Sequence, residues 1–173
     1  MFYYIYLRPL WIICLCMFVV VLVYSALGCF FLRASKAWRI INLCFSVISV
    51  LAILYVTILN RESGESEIIF IPLCSLFDKS VDVEKYRVTL MNIFLFFPLG
   101  LSMTFALPNR CKHPIFLVMT FSFLLSLVIE ISQYIFRLGR CEVDDIIMNT
   151  IGAFIGAIAF MLSSIIVKNK ERK

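Results

Sequence analysis

Apolar residues occupy this chain in long unbroken runs rather than in the alternation of a soluble fold. Leu10 to Leu32, Trp38 to Leu59, Pro114 to Phe136 and Ile146 to Val167 are each almost free of charge. A helix rises about 1.5 Å per residue, so about 20 residues cross a hydrocarbon core of about 30 Å. Each of these runs predicts a membrane-spanning helix. Leu90 to Leu107 is shorter and contains Pro98, but Asn92 at one end and Pro108, Asn109 and Arg110 at the other mark two interfaces. Membrane helices tolerate proline, and the run is read as a further span.

The longest connection, Asn60 to Thr89, divides in two. Arg61 to Glu67 is polar, contains Gly64 and reads as a loop. Ile68 to Phe77, IIFIPLCSLF, is apolar but too short to span and carries Pro72, which predicts an interfacial or re-entrant segment. The expected architecture is an all-α integral membrane protein of about five helices, with that segment between the second and third. Residues 1–173 form one membrane domain without internal repeats or low-complexity tracts.

Composition supports this. Hydrophobic residues make up 62% of the chain and charged residues 16%, with a mean hydropathy of +1.00, too little polar surface to coat a water-soluble globule. With alternating spans, nine Lys and Arg fall on one side, including Arg33, Lys36, Arg39, Arg110 and Lys112, and seven on the other. The nine crowd two short loops and the tail, so the positive-inside rule predicts a cytoplasmic C-terminus and an external N-terminus. The net charge of +5 then lies largely beside anionic lipid headgroups. Basic residues form no stripe or motif for nucleic acid.

Arg8 and the sequence Ala26-Leu27-Gly28-Cys29 prompt a signal-peptide test. The apolar run exceeds the 7 to 15 residues of a signal core, which predicts an uncleaved first span. Cys14, Cys16, Cys29 and Cys44 lie in or beside spans, where cysteine acts as a small hydrophobe. Cys74 and Cys141 share the external side, so one bridge between them stays open. Neither zinc-ligand spacing nor a cofactor motif is present, and the single His113 lies on the other side.

Glu130 stands out. It lies near the end of an apolar run and opens a polar string: Glu130, Gln133, Arg137, Arg140, Glu142, Asp144, Asp145, Asn149. A carboxylate in hydrocarbon is costly, and chains that keep one commonly use it. Glu130 is six residues from Phe136, roughly 9 Å from the outer end of its helix. Asn149 and Asn92 lie just inside two spans that start on the same side. The three polar residues therefore belong to one layer, with Arg137, Arg140 and Asp145 further out.

At 100° per residue Glu130, Gln133, Tyr134 and Arg137 share a stripe. Asp145, Asn149, Gly152 and Gly156 share another, and the two glycines have the spacing that lets helices approach closely, here expected beside the Glu130 helix. Asp144 points away from Asp145 and is expected to serve the surface. A purely structural clasp is the competing account. It pairs Glu130 with Arg137 or Arg140, caps the last span with Asp145 and bonds Asn149 between helices.

These residues resemble a known family. Asn92, then FLFFPLG, then Glu130 with Gln133, then Arg140, Glu142, Asp144, Asp145, Asn149 and Gly152 are similar to the VanZ-like membrane proteins. The resemblance covers residues 68–156. IIFIPLCSLF corresponds to the family's NLIPF-type segment, with Phe70 where the family carries Asn. The resemblance implies a bacterial cell-envelope protein, since the family's namesake is associated with low-level teicoplanin-type glycopeptide resistance.

Three activities fit these expectations. In the first, the outer layer binds a lipid, a lipid-linked cell-wall precursor or the lipoglycopeptide itself. Asn92, Glu130, Gln133, Asp144, Asp145 and Asn149 would orient its headgroup, with Arg137 and Arg140 on phosphate or carboxylate. In the second, Glu130 is a general acid or base acting on such a headgroup, with Asp144 or Asp145 on a divalent cation and Cys141, beside Arg140, as the one plausible thiol nucleophile. The third, transport, needs a polar path through the inner half, where spans three to five offer chiefly Ser102, Thr104, Thr120, Ser122, Ser163 and Ser164.

Overall fold

A computed structural model describes residues 2–31, 36–59, 68–69, 83–108, 111–138 and 141–171. Five helices account for nearly all of them: α1 (Phe2–Phe31), α2 (Lys36–Leu54, continued by a π-helical turn Tyr55–Leu59), α3 (Val83–Ala106), α4 (Pro114–Ile135) and α5 (Val143–Glu171). Two short strands, β1 (Ile68–Ile69) and β2 (Cys141–Glu142), pair in parallel. Spans within α2, α3, α4 and α5 are long and apolar enough to cross a membrane, and Leu15–Cys29 is the apolar part of α1 among residues with described side chains. The protein is an all-α membrane protein.

Most boundaries fall within a few residues of the hydrophobic runs, but α1 starts at Phe2 rather than Leu10, and α3 is the other exception. It begins at Val83 rather than near Leu90, because the helix continues through Glu84, Lys85 and Arg87 before its apolar part. Hydropathy marks where a helix meets lipid, and helical hydrogen bonding does not stop there. Pro98 lies inside α3 without ending it. Of the segment 68–77, only Ile68–Ile69 falls among the described residues, and those two pair with β2.

About half of the spanning parts of α3 and α5 is buried (50% and 56%), against 22% and 28% for α2 and α4. The α3–α5 pair is therefore the centre, and it makes the most extensive helix contact. Phe96, Leu99 and Ala153 pack there against Ile53 and Ile129. Nearer the other end, Phe97, Leu101, Phe105 and Phe160 pack against Val21. The outward faces are apolar, with Ile48 and Leu51 on α2 and Phe116, Val128 and Ile135 on α4 exposed, as hydrocarbon requires.

Glycine makes the centre narrow. A Cβ on Gly152 would collide with the carbonyl oxygen of Ile93, one on Gly156 with that of Phe97, and one on Gly100 with that of Ala153. Successive contacts advance together along both helices, so α3 and α5 run parallel and start at the same end. The expected partner of the glycine face was the Glu130 helix, α4, and the structure corrects this to α3. Spacing along one helix defines a face but carries no information about which neighbour fills it.

Candidate functional site

One face of α4 is buried throughout and becomes polar toward its end. Val118, Ser122, Ser126, Ile129, Glu130 and Gln133 recur at helical spacing, and all are buried. Glu130 is 2% exposed and Gln133 1%. Tyr134, expected on this stripe, is exposed, because the buried face turns away from it toward α5 and α2.

Three hydrogen bonds tie the polar face to three different elements. Gln133 Nε2 donates to the carbonyl oxygen of Thr57 at 3.0 Å. That carbonyl belongs to the final turn of α2, where helix carbonyls lack intrahelical partners. Asn149 Nδ2 on α5 donates to Ser126 Oγ at 2.8 Å. The backbone N–H of Glu142, one residue before α5, donates to Glu130 Oε2 at 3.0 Å.

The last bond is one contact that helps the bundle tolerate a buried carboxylate. Glu130 accepts from a backbone amide at the N-terminus of α5, where the helix dipole favours negative charge. An arginine partner was the expectation of the clasp account. The structure puts Arg137 on the exposed surface, while Arg140 lies outside the described residues.

Asp144 and Asp145 occupy the first turn of α5. Asp144 is 4% exposed, which overturns the expectation that it serves the surface. An isolated helical wheel assumes open space opposite Asp145. Here α5 starts directly from β2, which pairs with β1 and contacts α4, so that turn is enclosed on more than one side. Asp145 is half-buried.

Asn92 and Asn149 enter from matching ends of the parallel α3–α5 pair. Each has one buried amide atom with no hydrogen-bond partner among the described residues, Asn92 Nδ2 and Asn149 Oδ1, and so does Gln133 through Oε1. A buried polar atom without a partner costs about 1 to 3 kcal/mol. These three atoms and the Glu130 carboxylate are buried polar groups on α3, α4 and α5. Among the described residues no three His, Cys, Asp or Glu side chains group as a metal site.

Arg137 ends α4 in an unusual way. The N–H of Leu138 bonds the carbonyl of Gln133 at 2.8 Å, and the N–H of Arg137 bonds that of Tyr134 at 3.3 Å. This is a Schellman C-cap, with Arg137 in the left-handed position at φ 55° where glycine is usual. An arginine there costs about 1 kcal/mol relative to glycine. Arg137→Gly is expected to raise the thermal unfolding temperature in detergent. A fall would show that the side chain itself supports the fold.

Cys141 is a free thiol at the edge of the site, and Cys74 lies outside the described residues. Burial, then the carboxylates of Glu130 and Asp145, push its pKa up. A raised pKa keeps the thiol protonated and poorly nucleophilic near neutrality, which counts against Cys141 as an attacking group. In a variant retaining only this cysteine, alkylation by iodoacetamide should rise at higher pH than for an ordinary thiol. Glu130→Gln should move the profile back toward lower pH by removing one negative charge. An unmoved profile would mean that Glu130 does not bear on the thiol.

Sequence reasoning singled out Glu130, Gln133 and Asn149, which are buried here, but not their partners Thr57, Ser126 and the Glu142 amide. The four-residue spacing of Ser122, Ser126 and Glu130 was a usable signal for the serine. Backbone groups carry none.

The fold and the site define a helical membrane protein with a buried polar layer near one end of its bundle. Residues 10–166 match the VanZ/LLP1 family, and the chain belongs to it. It is 34% identical over 80 residues to Protein VanZ of Enterococcus faecium, a stretch covering 46% of this chain. The match spans about half (48%) of that relative's length. No solved structure matches.

Proposed function

We propose that this protein contributes to resistance against teicoplanin-type glycopeptides by holding the polar headgroup of a lipid-linked molecule in an outer-leaflet pocket around Glu130. The reading places it in the bacterial plasma membrane, with the N-terminus outside and the C-terminus in the cytoplasm. The observation that carries it is that Asn92, Gln133 and Asn149 each keep an unpartnered buried amide atom in a bundle that also buries the Glu130 carboxylate. A clasp evolved only to join helices would pair those atoms with each other. Left open, they suit a ligand that brings donors and acceptors of its own.

Depth suggests the order of contacts. Amides and carboxylate lie at the floor and suit hydroxyl or amide groups, as on a sugar or peptide. Arg137, exposed at the rim, suits a phosphate or carboxylate nearer the headgroup plane. Two sources share this chemistry, the lipid-anchored cell-wall precursor and the acylated glycopeptide.

Susceptibility tests the reading. In a sensitive host at equal membrane abundance, the unaltered chain should raise the inhibitory concentration of teicoplanin, and Glu130→Gln should remove the gain. A gain unchanged in Glu130→Gln would reduce the layer to a structural clasp.

A further inference from the structure

The opposite end of the bundle holds a second arrangement that the outer layer does not use. Lys36 and Arg39 both lie in the first turn of α2, a turn with no acidic residue. Two cations there add to the positive end of the helix dipole, an arrangement that favours a nearby anion. Arg39 Nε is buried and has no hydrogen-bond partner among the described residues. A guanidinium nitrogen withdrawn from water without an acceptor is a donor awaiting one.

Beside these groups is a groove of about 300 Å³ between α2 and the end of α3, lined by Lys36, Arg39, Ile40, Leu43 and Ala106. Its apolar wall is continuous with the lipid-facing surface, since Ile40 is 60% exposed and Leu43 56% on a membrane-spanning helix. The groove therefore opens sideways to hydrocarbon, with charge at the membrane surface and apolar walls beneath. A phosphate on a long acyl chain meets both requirements, and a soluble anion meets only one.

We infer that the groove between α2 and α3 binds one anionic phospholipid, its phosphate held by Lys36 and Arg39 and its acyl chain lying along Ile40, Leu43 and Ala106. Arg39, which lines the groove, presents its guanidinium to a phosphate oxygen, a contact that Lys cannot copy in geometry. Lys36 adds charge. The bound lipid relieves the concentration of positive charge at the start of α2 and fixes that helix against α3. This site is independent of the pocket around Glu130, and neither reading depends on the other.

Lipid selectivity tests it. The full chain is reconstituted in nanodiscs containing equal phosphatidylglycerol and phosphatidylcholine, released gently and weighed by native mass spectrometry with its retained lipid. One phosphatidylglycerol should be retained in preference, by about fivefold for each cation engaged. Arg39→Ala should lose most of the preference, Arg39→Lys part of it, and Lys36→Ala, a change at an exposed residue, about half of its logarithm. Ala106→Phe should reduce retention of both lipids by filling the groove while leaving the charge in place.

Equal retention of the two lipids by the unaltered chain would overturn the inference. So would a preference that survives Lys36→Ala and Arg39→Ala in chains that still elute as a single species. Release of the lipid by excess inorganic phosphate would show a site for the free anion and contradict the lipid reading. Glu130→Gln should leave the preference unchanged, which separates this test from that of the outer pocket.

Discussion

Replacing Gly152 with leucine is expected to abolish accumulation of folded protein in the membrane. Even a Cβ at this position would overlap the Ile93 carbonyl oxygen, and its distance to the carbonyl carbon would be 2.8 Å. The obstacle is backbone rather than a movable side-chain tip, so relief requires α3 and α5 to separate. Overpacking a well-filled core typically costs about 1 to 3 kcal/mol. Here the separation also opens the contacts of Gly156 and Gly100, which belong to the same seam. The total approaches the stability of about 5 to 15 kcal/mol that ordinary domains possess. Gly152→Ala should be milder, folded but with a lowered unfolding temperature. Size-exclusion chromatography of a fluorescent fusion would check both, and a normal yield of folded Gly152→Leu would refute the close α3–α5 packing.

The second large effect concerns Glu130 and separates its two roles. Glu130→Leu removes the acceptor of the Glu142 amide and leaves that part-buried N–H without its side-chain partner, a loss of about 1 kcal/mol. Glu130→Gln keeps an oxygen for that amide and removes only the charge. The expected pattern is a lowered unfolding temperature in Glu130→Leu, near-normal stability in Glu130→Gln, and loss of the resistance gain in both. Equal destabilisation by the two substitutions would mean that the charge itself holds the β2–α5 junction to α4. A labelled precursor lipid whose mass changes with the unaltered chain, and not with Glu130→Gln, would transfer the account from binding to catalysis.

Much of the architecture was legible because lipid imposes a simple rule on sequence. Each span is a run of apolar residues long enough to cross the core, and the ends of α2, α4 and α5 follow from such runs. The early start of α3 was not legible, because Glu84, Lys85 and Arg87 are compatible with either helix or loop outside the hydrocarbon. Gly152 and Gly156 announced a close approach but not its partner. That choice depends on how α3 and α4 compete for one face, a property of the assembled bundle.

The site divides in the same way. Glu130, Gln133 and Asn149 were visible as polar residues inside apolar helices, where burial without a partner is costly. Asp144 misled, since it is buried in a turn of α5 that follows a strand pair joining residues far apart in sequence. The carbonyl of Thr57 and the amide of Glu142 hold two of the three polar side chains, and every residue carries such groups, so composition cannot single them out. Arg137 was expected on the Glu130 stripe, and the clasp account paired Glu130 with Arg137 or Arg140. The left-handed backbone of Arg137 at the end of α4 accompanies a different outcome, an exposed side chain at the rim.

Direct binding to the outer layer tests the central claim. The purified full chain in nanodiscs would be titrated with a fluorescent lipid-linked cell-wall precursor and, separately, with a fluorescent lipoglycopeptide. At least one should bind saturably, and Glu130→Gln should weaken it about tenfold or more, the loss expected when a hydrogen bond to a charged group becomes neutral. The unfolding temperature of that variant should stay close to that of the unaltered chain. Absence of saturable binding by either ligand, or equal affinity in Glu130→Gln, would contradict a ligand pocket at Glu130.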